Sequence, residues 1–216
     1  MDIKEMIRHV DHTQLKAFAT KEDIFRLCDE AVSLNTASVC IPPDYIKEVK
    51  ERYGDKLKIC TVIGFPLGYN TTAAKLFETE NAILNGADEI DTVINVGRMK
   101  AGEYDRVLEE LRAIRHSCRG HILKVIIESC YLSEEEIIKA CELVTEAGAD
   151  YIKTSTGFGT AGATPECVKL MKEHIGEGVK IKAAGGIRTK EQLAEYIALG
   201  CDRVGASATL SFLEEG

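Results

Sequence analysis

The sequence predicts an α/β protein that folds as a single (β/α)8 barrel over residues 1–216, with a short helix at its N-terminus. Eight short apolar segments alternate with segments of helical periodicity, which is typical of parallel strands joined by right-handed crossovers. No linker rich in Pro, Gly or Ser divides the chain. The segment Gly-(Ala or Cys)-Asp recurs at Gly86, Gly148 and Gly200, as a weak repeat of one helix–strand junction.

The predicted strands are short apolar runs bounded by turn residues. They cover residues 7–11, 37–41, 57–63, 89–95, 122–128, 151–153, 179–183 and 203–206. The first strand has the weakest signal. Without it, an open doubly wound sheet is the alternative architecture.

Capping residues predict where the helices begin. Thr20, Ser133 and Thr189 each stand three residues before an Asp, Glu or Gln, which is the pattern of a capping box. The predicted helices cover residues 20–34, 43–53, 71–84, 103–117, 133–147, 164–174 and 189–199, and a last short helix starts at Ser207.

Composition and charge limit the classes of function. The formal net charge of −8 argues against a general nucleic-acid binder. No run is long and apolar enough to span a membrane, and the first residues lack the apolar core of a signal peptide. The eight cysteines include no C-x-x-C pair, so we expect reduced thiols in the cytoplasm.

Polar residues near the carboxyl ends of the predicted strands are the candidate catalytic groups, because barrels of this kind build their active sites there. Lys153 ends one strand, Lys182 lies on the next, and Asp91 lies on a face that we place inside the barrel. Lys124 is an alternative nucleophile. Its earlier position in its strand favours pairing with a core carboxylate instead.

A lysine nucleophile must be neutral, and roughly one free lysine in a few thousand is neutral at pH 7. Two ammonium groups about 5 Å apart repel by about 3 kcal/mol at an effective dielectric constant near 20, and burial also disfavours the charged form. Lys153 and Lys182 with Asp91 therefore suit a Schiff-base site. From these residues alone, a structural Lys–Asp–Lys network remains the alternative.

Three glycine-bearing turns follow late strands, at residues 157–162, 185–186 and 205–207. Exposed backbone N–H groups at such turns bind anions, and barrels often hold phosphate after their last two strands. Ordinary tight turns explain any one of these glycines, but their clustering on one rim favours phosphate.

A metal site is suggested at first by His9, Asp11 and His12. The other histidines fall at helix ends and loops away from the predicted rim, so a structural role is favoured for these residues. We expect no metal and no cofactor.

Several stretches together carry a family resemblance. They are HVDHTQL, SVCIPP, VIGFPLG, NGADEIDTVINVG, LKVIIE, DYIKTSTGFGTAGAT, VKIKAAGGIRT and GAS. On these stretches, which extend over nearly the whole chain, the sequence resembles the deoxyribose-phosphate aldolase family. The resemblance implies a (β/α)8 barrel that reversibly cleaves 2-deoxy-D-ribose 5-phosphate to acetaldehyde and D-glyceraldehyde 3-phosphate, without a metal.

The resemblance also implies roles for individual residues. Lys153 resembles the Schiff-base lysine, Lys182 the second lysine that perturbs it, and Asp91 the carboxylate of the proton relay. The predicted substrate-binding residues are Asp11, Thr13, Cys40, Thr156, Gly157, Gly185, Gly186, Gly205 and Ser207. Phe158 stands where some members carry a lysine, a difference that bears on how many charged groups hold the phosphate.

Two other classes of function stay open at this point. One is a cofactor-free phosphosugar isomerase or synthase barrel that uses carboxylates, and the other is an inactive barrel kept for binding or assembly. We expect small phosphosugar and aldehyde substrates, no nucleic-acid or membrane partner, and a homo-oligomer, either a dimer or a tetramer.

Overall fold

The computed structural model describes residues 1–214, and its eight parallel strands close into a barrel in chain order. The strands are β1 (Val10–Thr13), β2 (Ser38–Ile41), β3 (Ile59–Ile63), β4 (Glu89–Val93), β5 (Ile122–Ile126), β6 (Tyr151–Lys153), β7 (Lys180–Ala184) and β8 (Arg203–Ala206). The pairing of Val10 with Val204 and of Asp11 with Gly205 joins the last strand to the first. The predicted (β/α)8 barrel is confirmed.

Helices alternate with the strands around the barrel. They are α1 (Ile3–Ile7), α2 (Lys21–Leu34), α3 (Ile46–Tyr53), α4 (Thr72–Leu84), α5 (Val96–Lys100), α6 (Tyr104–Ser117), α7 (Glu134–Glu146), α8 (Pro165–His174), α9 (Lys190–Ala198) and α10 (Ser211–Glu214). Within residues 1–214, no helix has both the length and the apolar character needed to cross a bilayer.

The capping predictions are confirmed at three helices. The side chains of Thr20, Ser133 and Thr189 each accept a hydrogen bond from the backbone N–H three residues on, and the backbone N–H of each donates in return to that residue's side chain. These paired bonds satisfy N–H groups that have no partner inside the helix. The starts of α2, α7 and α9 are therefore fixed by local sequence.

The recurring Gly-(Ala or Cys)-Asp segment forms the same junction each time. Gly86, Gly148 and Gly200 all have a positive φ just after a helix, a conformation in which glycine carries no steric penalty. Two residues later, the Asp backbone N–H donates to a carbonyl of the preceding strand: Asp88 to Ile59, Asp150 to Leu123 and Asp202 to Ile181. The repeat thus attaches the start of a new strand to its neighbour.

Side chains alternate along the strands between an apolar outer layer and a polar interior. On β4, Ile90 is fully buried in the core that lies between strands and helices. Its neighbour Asp91 is equally buried but contacts lysines of three other strands inside the barrel. This alternation confirms the inward face that the sequence predicted for Glu89 and Asp91.

Two predicted elements are corrected by the structure. The first strand covers Val10–Thr13 rather than residues 7–11, and Ile7 ends helix α1. The inward side of β1 is polar, so apolar periodicity gave little sign of the strand. The last helix begins at Ser211, not at Ser207, which lies in the turn after β8. Helix α5 (Val96–Lys100) was not predicted.

Candidate active site

Asp91 is the centre of the candidate site. Its Oδ2 atom accepts hydrogen bonds from Lys153 Nζ and from Lys182 Nζ, each at 2.8 Å. Its Oδ1 atom accepts from Lys124 Nζ at 2.8 Å and from Cys60 Sγ at 3.1 Å. The structure therefore brings together the three residues predicted to carry the chemistry, on β4, β6 and β7.

A larger set of charged side chains surrounds this carboxylate. Lys124 contacts Glu89 Oε2 at 2.6 Å as well as Asp91, which agrees with the predicted pairing of this lysine with a core carboxylate. Lys182 contacts Asp11 Oδ2 at 2.5 Å. Arg203 bridges Asp11 and Glu89. We call these seven residues the interior charge cluster: Asp11, Glu89, Asp91, Lys124, Lys153, Lys182 and Arg203.

The interior charge cluster contains four basic side chains and three carboxylates. Burial alone would raise the pKa of Asp91, but the charges of Lys124, Lys153 and Lys182 outweigh it and hold that pKa well below the usual value. Burial would lower the pKa of Lys182, yet Asp11 and Asp91 raise it above its usual value. Asp91 is therefore ionised and Lys182 protonated at neutral pH.

Lys153 differs from the other two lysines in both contacts and position. Among the described residues it pairs with one carboxylate, Asp91, whereas Lys182 pairs with two and Lys124 with three. It is also a lining residue of a cavity of about 320 Å³ at the carboxyl end of the barrel. Of the lysines in the interior charge cluster, Lys153 is the one that lines the cavity.

Half of the residues that line the cavity are residues that the sequence predicted as substrate-binding. Those that line it are Thr13, Thr156, Gly157, Gly185, Gly186, Gly205 and Ser207. Asp11 and Cys40 are fully buried and do not line the cavity. Asp11 belongs to the interior charge cluster, and the Cys40 side chain lies in the inner wall beside Cys60.

The loop after β6 packs directly on the turn after β7. A Cβ atom at Gly162 would come within 2.1 Å of the Gly185 carbonyl oxygen. Gly185 itself has φ +87°, and a Cβ there would meet the Gly162 Cα at 2.9 Å. Glycine is needed at both positions, because only then can the two loops form one rim.

Thr156 is oriented by a buried carboxylate. Its backbone N–H donates to Glu128 Oε1 at 3.1 Å, and its hydroxyl donates to Glu128 Oε2. Glu128 adopts a left-handed conformation with φ 49° just after β5, which is uncommon for a residue with a side chain. The carboxylate thus anchors the start of the loop that contains Gly157.

Sequence reasoning missed several residues of the site. Lys16 and Arg188 also line the cavity, and both side chains are exposed at its mouth. Arg188 follows the Gly185-Gly186 turn in the GGIRT stretch, so its position was a usable signal. Arg203 gave no local signal, because its partner Asp11 is 192 positions away in sequence.

Two groups of potential metal ligands occur in the barrel interior. They are Cys40, Cys60 and Asp91, and Asp11, Cys60 and Glu89. In both groups the carboxylates already receive lysine ammonium groups, and Lys124 Nζ lies 3.1 Å from Cys60 Sγ. A divalent cation would have to displace that ammonium or tolerate its charge. The set is therefore poorly suited to a metal ion.

The histidines near the first strand do not converge with Asp11. His12 points to the other face of β1, where its ring nitrogens lie 2.8 Å from Glu30 Oε2 and 2.8 Å from Thr209 Oγ1. His9 Nδ1 lies 2.9 Å from the Asp202 carbonyl oxygen. Both contacts fit the structural role that the sequence favoured.

Comparisons with known proteins find aldolases. The family model described as DeoC/LacD family aldolase matches residues 5–210. A deoxyribose-phosphate aldolase of Clostridium botulinum is 57% identical, covering 99% of this chain and 97% of the relative. A deoxyribose-phosphate aldolase of Clostridioides difficile is 54% identical, covering 98% of this chain and 97% of the relative. The tetrameric deoxyribose phosphate aldolase of Aeropyrum pernix superposes with a TM-score of 0.90 at 28% identity, covering 99% of this chain and 91% of that one.

Proposed function

The chain belongs to the DeoC/LacD aldolase family, and we propose that it reversibly cleaves 2-deoxy-D-ribose 5-phosphate to acetaldehyde and D-glyceraldehyde 3-phosphate through a Schiff base on Lys153. The observation that carries the proposal is the environment of Lys153. This lysine reaches the cavity and shares the Asp91 Oδ2 atom with Lys182. A nucleophilic amine beside a fixed positive charge is the arrangement that Schiff-base chemistry needs.

Charge balance supports Lys153 as the nucleophile rather than Lys124 or Lys182. Removing the proton from Lys124 or Lys182 would weaken two or more ion pairs with carboxylates, whereas Lys153 has one such pair, with Asp91. Removing it from Lys153 leaves Asp91 with two ammonium partners. The neutral amine therefore costs least at Lys153, and it is also the amine that a substrate in the cavity can reach.

The reaction begins when the neutral Lys153 amine attacks the C1 aldehyde of the open-chain sugar. Loss of water from the carbinolamine gives an iminium ion, which draws electrons from the C2–C3 bond as it breaks. The C3 hydroxyl proton leaves, D-glyceraldehyde 3-phosphate departs, and the remaining enamine is protonated at C2 and hydrolysed to acetaldehyde. Asp91 stabilises the iminium charge and, with Lys182, provides the route for protons.

The phosphate is proposed to lie at the cavity mouth. Two cationic side chains, Lys16 and Arg188, line it together with the glycine turns and the exposed Ser207. Backbone N–H groups in glycine turns can hold phosphate oxygens, and the cations supply charge. The mouth thus has cations of its own, although Phe158 stands where some members carry lysine. A cavity of about 320 Å³ is within the size range of small-molecule sites.

The proposal also covers the assembly and the cellular location of the chain. A homo-oligomer is supported by the tetrameric relative of Aeropyrum pernix. A cytoplasmic location is supported by the eight cysteines, all of which are free thiols in the structure. We propose both for this chain, with small phosphosugars and aldehydes as its substrates.

Reductive trapping tests the proposed function. Borohydride added with acetaldehyde should attach an ethyl group to the peptide that contains Lys153, while Lys153→Met, checked by circular dichroism for folding, should gain none. Labelling of Lys124 or Lys182 in the wild-type protein would reverse the assignment. Complete absence of an adduct would favour an isomerase or synthase that uses carboxylates.

A further inference from the structure

Two cysteines lie side by side on the inner wall of the barrel. Cys40 on β2 and Cys60 on β3 are directly paired in the parallel register. Paired residues on neighbouring strands have Cα atoms about 4.8 Å apart, which is inside the range of about 4.4–6.8 Å that a disulfide requires. Both side chains belong to one small apolar cluster with Val62, packed against Leu15 and Phe65.

The sulfur atoms themselves are close. Cys40 Sγ, Cys60 Sγ and a carboxylate oxygen of Asp91 all lie within 4.8 Å of one another. Both thiols face the concave side of the barrel, where side chains of neighbouring strands converge. We expect rotation of the two side chains, rather than movement of the strands, to close the remaining distance between the sulfurs.

We propose that Cys40 and Cys60 are a peroxide-oxidisable thiol pair that closes a reversible disulfide in the wall of the active site. This inference does not depend on the aldolase reaction. It rests on the register of two strands, the proximity of the two sulfur atoms, and their position next to the cavity.

The route proposed for peroxide leads from the cavity past Lys153 and Asp91. Asp91 connects the two regions, because one of its carboxylate oxygens lies within 4.8 Å of both sulfurs and its Oδ2 atom is 2.8 Å from Lys153 Nζ. Lys153 lines the cavity. Cys40 and Cys60 are fully buried and do not line the cavity themselves, so the peroxide has to pass the side chains of Lys153 and Asp91 to reach them.

The two thiols have different reactivities. The interaction with the Cys60 sulfur lowers the pKa of Cys40 and the charge of Lys182 lowers it further, while burial and the charge of Asp91 oppose them. Burial raises the pKa of Cys60 well above the usual value. Because the thiolate is the form that peroxide oxidises, Cys40 reacts first and Cys60 resolves.

The oxidation is balanced by the peroxide alone. The Cys40 thiolate attacks one peroxide oxygen, the O–O bond breaks, and the departing hydroxide takes a proton to form water, which leaves a sulfenic acid on Cys40. The Cys60 sulfur then attacks the Cys40 sulfur, and the S–O bond breaks as a second water leaves with the Cys60 proton. Two thiols lose two electrons, and hydrogen peroxide accepts both.

Oxidation changes the surroundings of Asp91. In the reduced protein, the Cys60 thiol lies 3.1 Å from Asp91 Oδ1 and donates a hydrogen bond to it. The disulfide removes this donor and draws the Cys60 sulfur toward Cys40. We therefore expect trapping at Lys153 to decline in step with the disulfide and to recover after reduction with dithiothreitol.

Peptide mapping of the peroxide-treated, full-length protein tests the proposal. After remaining thiols are blocked with N-ethylmaleimide, a non-reducing digest should contain the Cys40 peptide linked to the Cys60 peptide, with the intact protein two hydrogens lighter. Cys28, buried on α2, provides the matched control, and Cys28→Ser should give the same cross-link. Wild-type protein in which Cys40 stays reduced, or becomes linked to another cysteine, would overturn the proposal.

Single variants separate the two roles. Cys60→Ser should accumulate a Cys40 sulfenic acid that dimedone labels, because the resolving sulfur is gone. Cys40→Ser should leave Cys60 reduced under the same peroxide dose. Dimedone labelling at Cys60 in the Cys40→Ser variant would contradict the assignment of Cys40 as the first sulfur to react.

Discussion

Lys153 and Lys182 are direct partners across β6 and β7, and both donate to the same oxygen atom, Asp91 Oδ2. Each nitrogen is 2.8 Å from that oxygen, so the two nitrogens are at most twice 2.8 Å apart. Two positive charges at that separation repel by roughly 3 kcal/mol at an effective dielectric constant of 20. The shared carboxylate therefore holds the two amines close enough for the charge of Lys182 to act on Lys153.

Replacing Lys182 with Met tests this electrostatic role. The raised pKa of Lys182 keeps it charged through the neutral range, so the substitution removes a full positive charge and keeps much of the volume. We expect borohydride-trapped adduct to form slowly at neutral pH and to recover partly at higher pH, with the midpoint moved upward by about 2 pH units. The measurement is adduct yield against pH.

Lys153→Met is the control for that experiment, because it should give no adduct at any pH. If Lys182 acted mainly as a proton donor, the Lys182→Met variant would be slow across the whole range and its profile would keep the wild-type midpoint. That result would support a role of Lys182 in proton transfer and would contradict its role as a fixed positive charge beside Lys153.

The sequence is sufficient to predict the architecture, because the patterns that indicate the strands and helices of a barrel are local. Capping boxes, glycine junctions and short apolar runs repeat along the chain, and they mark nearly every element. The position predicted for the first strand is wrong because its inward residues, Asp11 and Thr13, are polar, and a polar interior removes the apolar alternation on which strand prediction depends. The predicted helix at Ser207 failed because glycine and serine near a strand end suit a turn equally well.

The site was only partly predictable. Lys153, Lys182 and Asp91 stand at recognisable positions in their strands, so their convergence followed from the barrel. Arg203 completes the interior charge cluster through contacts to Asp11 and Glu89, which are 192 and 114 positions away. Contacts between residues so far apart in the sequence are set by closure of the barrel, and no local sequence pattern indicates them.

Replacing Ser207 with Asp tests where the phosphate binds. The new carboxylate would lie at the cavity mouth beside Gly185 and Gly186 and would repel a phosphate there. We expect KM for 2-deoxy-D-ribose 5-phosphate to rise at least tenfold, which corresponds to about 1.4 kcal/mol. KM for unphosphorylated deoxyribose should change little. Equal effects on both substrates would mean that the phosphate binds elsewhere.

Exhaustive chelation tests the expectation that the reaction needs no metal. The best potential ligand atoms in the described part of the chain surround the ammonium group of Lys124, which already neutralises Asp91 and Glu89. We expect cleavage activity to be unchanged after prolonged dialysis against EDTA, measured with chelated assay buffers. Activity that disappears and returns on addition of zinc would establish a metal-dependent reaction.

A buried ion pair outside the active site supports the end of β4. Lys75 on α4 is fully buried, and its Nζ atom lies 2.5 Å from Glu110 Oε1 on α6. The same nitrogen donates to the carbonyl oxygen of Val93, two residues beyond Asp91. Its aliphatic chain packs under Gly64, where an added Cβ would meet Lys75 Cε at 2.7 Å.

This geometry predicts a strongly non-additive double-mutant cycle. Lys75→Met should lower the free energy of unfolding by about 3–5 kcal/mol, because Glu110 would remain buried without its cation, and Glu110→Leu should cost a similar amount. The double variant should be more stable than the sum of the single effects predicts, since no unpaired charge remains, although Val93 still loses a donor. Urea unfolding of the four proteins measures the cycle. Additive losses would mean that the two charges do not interact and that the pair does not support β4.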